Sequence, residues 1–502
     1  MQRLSGLDAM FLYLETPSSH MHVAGVYVLE PGESGFSFES VREMVASRLP
    51  LAAPFRRRLV EVPLKLHHPV WVEDPDFDLD YHIRRACLPR PGGPEELSAY
   101  VAQFVGLPLD RQRPLWEMQV VEGLAGDRFA LVAKMHHAAI DGVSGAEIMA
   151  TLLDLEPEPP EVRIVDPWRP EQLPSDAELI ALAMTALVGH PFRAARTARR
   201  VLESALHVSE HNREASVAPP PTPFSAPKTS LNQAITPHRR VAFTEMPLDD
   251  FKAVKSRFSC TVNDVVLAIC AGALRRYLLD GDELPDDPLV AMVPMSVRTE
   301  DEKGTHGNRI SSMLTSLATE QADPVERLRA IAVGMDRAKE QERLIGAATL
   351  TDWTEFTFPA LIGRASRLTS SMRVFDHLRP LFNVTISNVP GPPFPLFLAG
   401  ARMVGMYPLG PIAEGVGLNM TVMSYCGRVH FGLNGCRETV PRMAEIPKML
   451  HESLDELLAA ARPPRRRARR GEDAAAKPDA VPTASTEAER SGGGQDGFAV
   501  AG

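Results

Sequence analysis

Lys134-Met135-His136-His137-Ala138-Ala139-Ile140-Asp141-Gly142 holds two adjacent imidazoles, an acid four positions after the second, and a glycine directly behind the acid. Upstream, Arg128-Phe129-Ala130-Leu131-Val132-Ala133-Lys134-Met135 is apolar with interspersed charges and reads as a buried strand. Downstream, Ser144-Gly145-Ala146-Glu147 fits a capping box that opens a helix, and Ile148, Met149, Leu152 and Leu153 repeat at helical spacing. A strand that turns through a loop into a helix points to an α/β chain, with the histidines held at the turn by a rigid element on each side.

An imidazole with an ordinary pKa near 6.5 always keeps a neutral fraction near pH 7. It can take a proton from a hydroxyl, thiol or amine as that group attacks a carbonyl, a step worth roughly 100- to 10,000-fold in rate. Gly142 suits a turn that needs positive φ. Asp141 is near enough in sequence to fold back and shape the loop. A His–His pair alone is ordinary: His67-His68, followed by Pro69 and no Asp-Gly, reads as structural. The complete pattern His-His-x-x-x-Asp-Gly favours chemistry.

That pattern resembles the active-site motif of CoA-dependent acyltransferases with the chloramphenicol acetyltransferase-like fold, shared with peptide-synthetase condensation domains. Within that group the chain is most similar to the bacterial wax ester synthase/diacylglycerol acyltransferase family, from Leu4 to about Arg462. Further stretches carry the resemblance: Leu4-Ser5-Gly6-Leu7-Asp8 through Glu15-Thr16, Pro114-Leu115-Trp116-Glu117, Asn263-Asp264, Pro294-Met295-Ser296-Val297-Arg298 with Gly307-Asn308, and Asn383 to Pro392 with Ser387-Asn388-Val389-Pro390-Gly391-Pro392. The resemblance implies an α/β (α+β) fold of two chloramphenicol acetyltransferase-like lobes. Each would be a mixed sheet flanked by helices, with the active site between them.

Composition agrees with an ordinary globular chain. Of 502 residues, 44% are apolar and 24% charged, and the net charge of −10 gives no general reason to expect nucleic acid as a partner. Five cysteines without a Cys-x-x-Cys suggest a reducing cytosol. Met1-Gln2-Arg3-Leu4 leads into mixed sequence rather than a signal peptide, and the apolar run near 179–189 is broken by His190-Pro191. Any membrane contact is therefore expected to be peripheral. Arg193, Arg196, Arg199 and Arg200 would give a helix in 176–208 a basic face, which either lies on an anionic lipid surface or bridges the two halves of the chain.

The 44 prolines help to place boundaries. The expected units are an N-terminal lobe at 1–156, a helical and Pro-rich linker at 157–239, a C-terminal lobe at 240–462, and a tail at 463–502 whose composition predicts disorder. The Ser-Asn-Val-Pro-Gly-Pro run suggests an edge strand, because proline is excluded from central ladders. His20 and His22 match no metal-ligand cluster and are expected to be structural; no metal is expected.

The resemblance further implies O-acyl transfer from acyl-CoA to diacylglycerol, to a long-chain alcohol, or to both, giving triacylglycerol or wax ester. His137 would be the general base, His136 its neighbour, Asp141 a structural residue holding the loop, and Gly142 a source of backbone N–H for the oxyanion. Asn263, Ser387 and Asn388 are weaker candidates for substrate contact. Trp116 is a further weak candidate but reads better as a packing anchor. Arg56, with Arg58 as the alternative, would pair with Asp141, since an unpaired buried charge is costly. No cofactor is implied beyond acyl-CoA as co-substrate, and the expected location is cytoplasmic, at a membrane or lipid-body surface. No Gly-x-Ser-x-Gly elbow occurs, in keeping with direct attack and no acyl-enzyme. Three other readings stay open. One is the His-x4-Asp pattern of glycerophosphate acyltransferases, whose Pro-Glu-Gly-Thr block is missing. The others are a condensation-type enzyme with another acceptor, and a non-catalytic lipid-surface binder on the same scaffold.

Overall fold

The computed structural model describes residues 1–32, 35–139, 151–158, 168, 170–188, 221–296, 310–345, 368–370 and 372–462. Asp141, Gly142, the capping box at 144–147, the four arginines at 193–200 and the tail from 463 lie outside the described residues.

The strands in chain order are β1 (Gln2–Arg3), β2 (His22–Glu30), β3 (Arg57–Val60), β4 (Val70–Glu73), β5 (Ile83–Cys87), β6 (Trp116–Leu124), β7 (Arg128–His136) and β8 (Arg239–Pro247). They continue with β9 (Val290–Ser296), β10 (Ile310–Ser316), β11 (Val384–Val389), β12 (Phe397–Leu398), β13 (Ala401–Leu409), β14 (Leu418–Tyr425) and β15 (Arg428–Cys436). Two mixed six-stranded sheets dominate, in the orders β12-β13-β2-β7-β6-β5 and β10-β9-β11-β14-β15-β8, with a small third sheet β1-β4-β3. With their helices they form a two-domain α/β architecture.

β7 is central in the first sheet, flanked by β2 and β6, and every residue after Arg128 is buried. Its apolar run reflects burial on both faces. In the second half, helix Val262–Asp280 is capped by Thr261, whose hydroxyl accepts from the Asp264 N–H at 3.1 Å while the Asp264 carboxylate accepts from the Thr261 N–H at 2.8 Å. Nearly every residue from Val265 to Leu274 is fully buried, so the helix forms the spine of the larger core with helix Ile446–Ala461 packed against it. Among the described residues no single helix is long and apolar enough to cross a membrane.

Two arrangements differ from the expectations. β11 is not an edge strand: it lies between β9 and β14 and runs parallel to both. Pro390 and Pro392 follow the strand's last residue and take no place in the ladder. β13, which falls in the C-terminal half of the chain, pairs with β2 and so extends the first sheet. The chain then returns to β14 in the second sheet, and the crossing is tight. A Cβ on Gly432 of β15 would sit 1.8 Å from the Pro408 carbonyl oxygen, a separation no side chain can occupy.

The helix that begins the segment between the halves, Asp176–Val188, lays Leu179 and Ala183 against Val62, Val70 and Val72 of the small sheet. Its apolar side is therefore satisfied at least in part by protein.

Candidate active site

β7 ends at His136, and both neighbours hold the chain as it leaves the sheet. The His136 N–H donates to the Leu115 carbonyl at 2.9 Å, the His137 N–H to Met21 at 2.8 Å, and the Ala139 N–H to His136 at 2.9 Å. The His137 ring is directed into a cavity of about 440 Å³ walled by both sheets. Phe11 and Met135 come from the first half of the chain. Thr385 and Ser387 of β11 and Thr421 of β14 come from the second. The space opens where β9 parts from β11. Their pairing ends at Met292 and Thr385, and these two, with Pro294, Ser387 and Val389 beyond them, line the cavity. The lining is mainly apolar, as a site for a hydrocarbon chain requires.

Phe11 stacks on His137 with ring centroids 4.2 Å apart and planes 11° from parallel. Burial, with a smaller contribution from His136, pulls the His137 imidazole down to about 4. At neutral pH the ring is therefore almost entirely unprotonated.

His136 faces the other way and is almost fully buried. Its Nδ1 accepts the Ala138 N–H at 3.0 Å, so in the neutral ring the proton sits on Nε2. Nε2 lies 3.2 Å from Glu15 Oε1, off the axis of a well-aligned hydrogen bond. Glu15 Oε2 accepts from Arg111 Nε at 3.0 Å. Burial pushes the Glu15 carboxyl up, but His136 and Arg111 outweigh it and hold it at about 2.

Around this pair the polar groups are structural. The last carbonyls of helix Pro94–Val105 and the residues after it are capped by three buried side chains. Lys134 Nζ donates to Phe104 at 3.2 Å and Leu107 at 3.0 Å, His22 Nε2 contacts the Val105 carbonyl at 2.9 Å, and His20 Nε2 contacts that of Gly106 at 3.2 Å. Helix ends leave such carbonyls without intrahelical partners, and cationic groups suit the negative end of the dipole. Burial brings the Lys134 ammonium down to about 8. The structural reading of His20 and His22 agrees with these contacts. In the control pair His67-His68, His68 Nδ1 lies 2.7 Å from the Tyr13 hydroxyl.

Of the other residues singled out by sequence, Ser387 lines the cavity with His137. Asn388 Nδ2 donates to Asn263 Oδ1 at 3.4 Å, which joins two motifs 125 positions apart, although neither side chain lines the cavity. Trp116 is also away from it. The indole is 1% exposed, donates to the Phe55 carbonyl at 2.9 Å and stacks on His82 at 4.4 Å. Arg56 Nε lies 3.6 Å from Glu73, and Arg58 lies 3.5 Å from Asp74. Their pairing with Asp141 falls outside the described residues. Glu15, Phe11 and Arg111 were not singled out as site residues. Glu15 and Phe11 stand four apart, the spacing of neighbours on one helical face, but nothing local connects Glu15 to His136.

Three desolvated histidines set an acid limit on stability. Burial holds His137 and His82 at about 4 and His22 well below its ordinary 6.5. Below pH 6.5 the unfolded chain binds protons at these rings that the folded chain excludes. Their contribution is constant above about pH 7 and turns against the fold as pH drops from 6.5 toward 4. Glu15 adds stability that is complete above its ordinary 4.5 and is lost as pH falls toward 2. Tm followed from pH 8 to pH 4 should stay level at first and then decline from near 6.5. A level Tm down to pH 4.5 would contradict neutral burial of these rings.

Two mixed sheets with a histidine facing an apolar cavity between them suit acyl transfer, and comparison with known proteins places the chain in an acyltransferase family. The family model described as the wax ester synthase/diacylglycerol acyltransferase catalytic domain matches residues 4–266, and that of the WS/DGAT C-terminal domain matches 306–458. A Mycobacterium tuberculosis protein named "Putative diacyglycerol O-acyltransferase MT1809" is 39% identical over 470 residues, 91% of this chain and 90% of that protein. The solved wax ester synthase/diacylglycerol acyltransferase from Marinobacter aquaeolei VT8 is 32% identical with a TM-score of 0.65, covering 92% of this chain and all of that one. The first condensation domain of the calcium-dependent antibiotic synthetase shares the fold at 13% identity, with a TM-score of 0.55 over 92% of this chain and 96% of that one. The chain belongs to the wax ester synthase/diacylglycerol acyltransferase family.

Proposed function

We propose that this enzyme transfers a long-chain acyl group from acyl-CoA to the hydroxyl of diacylglycerol, of a long-chain alcohol, or of both, with His137 as general base. The observation that carries this reading is a neutral imidazole facing an apolar cavity of about 440 Å³. The ring takes the hydroxyl proton as the acceptor oxygen attacks the thioester carbonyl. The tetrahedral intermediate collapses to the ester, and the departing CoA thiolate recovers the proton from the imidazolium. No covalent acyl-enzyme forms.

The developing oxyanion needs preorganised donors. Ser387 lines the same cavity as His137 and is our first candidate; the loop at Gly142 is the second, and the Asn263–Asn388 pair, which lies outside the cavity lining, is the weakest. Asp141 is read as the residue that holds that loop, with Arg56 as its partner. The two sheets with their helices are read as two chloramphenicol acetyltransferase-like lobes with the site between them. Because both acceptors reside in lipid, the enzyme is read as peripheral, with the basic stretch at 193–200 meeting the surface.

The test is release of free CoA from palmitoyl-CoA in the presence of diolein, of hexadecanol, or of neither, with the lipid product identified by mass. Product should form with at least one acceptor. CoA release that needs neither acceptor would indicate a thioesterase, and no release under any condition would favour a binding protein on this scaffold.

A further inference from the structure

The two histidines are held by one helix from the far end of the chain. Helix Gly6–Leu14 ends at Glu15, its C-terminal cap, and Phe11 lies one turn earlier. Residues four apart share a helical face. Here that face meets the histidine pair: Phe11 lies flat on His137, and Glu15 Oε1 reaches Nε2 of His136 at 3.2 Å. The carboxylate is itself anchored. Arg111 contacts its other oxygen through Nε at 3.0 Å and also through Nη2, which donates to the Leu12 carbonyl at 2.6 Å as well. The opposite edge of the His136 ring accepts the Ala138 N–H. The ring is thus clamped between a fixed carboxylate and the backbone just beyond His137, so the main chain carrying the base is held on both sides.

We propose that Glu15 and Phe11 are positioning residues for the general base, Glu15 acting through His136 and Phe11 through direct stacking. The proposal rests on His137 being the base. Neither residue needs to touch the reacting atoms. Glu15 keeps the His136 proton on Nε2 and the 136–138 turn in place, while Phe11 limits rotation of the His137 ring. Misplacement of a catalytic group by about an ångström can cost on the order of 100-fold in rate. A plain structural tie between the helix and the 109–113 loop would instead lower stability and leave the turnover of folded enzyme unchanged.

Steady-state kinetics of the full chain separate these cases, with Tm recorded for every variant. Glu15→Ala should lower kcat by about 100-fold and Glu15→Gln by about tenfold, with KM for palmitoyl-CoA within about twofold of wild type. Because Glu15 acts through His136, the double variant Glu15→Ala/His136→Ala should be no slower than the slower single variant. Phe11→Leu should lower kcat, and Phe11→Tyr, which keeps the ring, should restore most of it. His137→Ala runs beside them. If it stays active, the assignment of the base fails. If it is inactive while folded Glu15→Ala keeps kcat within about threefold of wild type, the positioning role alone is overturned. Strictly multiplicative losses for Glu15 and His136 overturn it as well.

Discussion

His137→Ala should lower kcat by at least about 100-fold, and by as much as about 10,000-fold, while the protein stays folded. Three features set the size of this effect. The ring is the histidine that faces the cavity, whereas His136 is turned away toward Glu15. Burial holds it at about 4, so the proton-accepting form predominates across the whole neutral range. The chain on either side is fixed by hydrogen bonds from His136 to Leu115 and from His137 to Met21, so loss of the ring does not release the strand. Truncation removes a half-buried side chain beside Phe11, and Tm should move by only a few degrees. The wild-type pH profile gives an independent reading. A histidine at its ordinary pKa would be only about one-tenth neutral at pH 5.5, but one at about 4 remains almost fully neutral there. The acid limb of kcat/KM should therefore lie near pH 4. A folded His137→Ala enzyme that keeps more than about a tenth of wild-type kcat would remove this residue from the chemistry.

Trp116→Ala should have the largest effect on stability, about 3–5 kcal/mol. The indole fills the core between β6 and the segment at Phe55, stacks on His82, and has its N–H committed to the Phe55 carbonyl. Its removal leaves a large void and an orphaned buried carbonyl. Trp116→Phe keeps a ring for His82 but not the donor, and should cost less than alanine. Denaturant unfolding of the three proteins measures this order directly. Since Trp116 does not line the cavity, the surviving folded fraction of either variant should keep the wild-type KM for acyl-CoA. A raised KM with unchanged stability would return this tryptophan to the substrate site.

The contrast between these residues shows where sequence reasoning reaches. β7 was legible, because periodicity is local and its signal lies within a few residues of the element. The family was legible from a complete motif supported by several others, and His137 rather than His136 follows from that resemblance as the expected base. The rest depended on contacts between distant parts of the chain. An alternating strand such as β13 carries no mark of which sheet it joins, and only its pairing with β2 placed it in the first. The Ser-Asn-Val-Pro-Gly-Pro run suggested an edge because proline cannot serve a ladder. The folded chain instead ends β11 before the prolines and buries it between two parallel neighbours.

For the site, the sequence by itself determined that a histidine pair sits where a strand gives way to a turn, in a chain built for acyl transfer. Tertiary structure decided which groups surround the pair. Burial, not residue type, moved the His137 imidazole from its ordinary value to about 4. Glu15 and Phe11 reach the pair from a helix more than a hundred residues away. A desolvation shift depends on every atom that displaces water, and a long-range contact depends on how whole elements pack. Neither quantity is written in any short stretch of sequence.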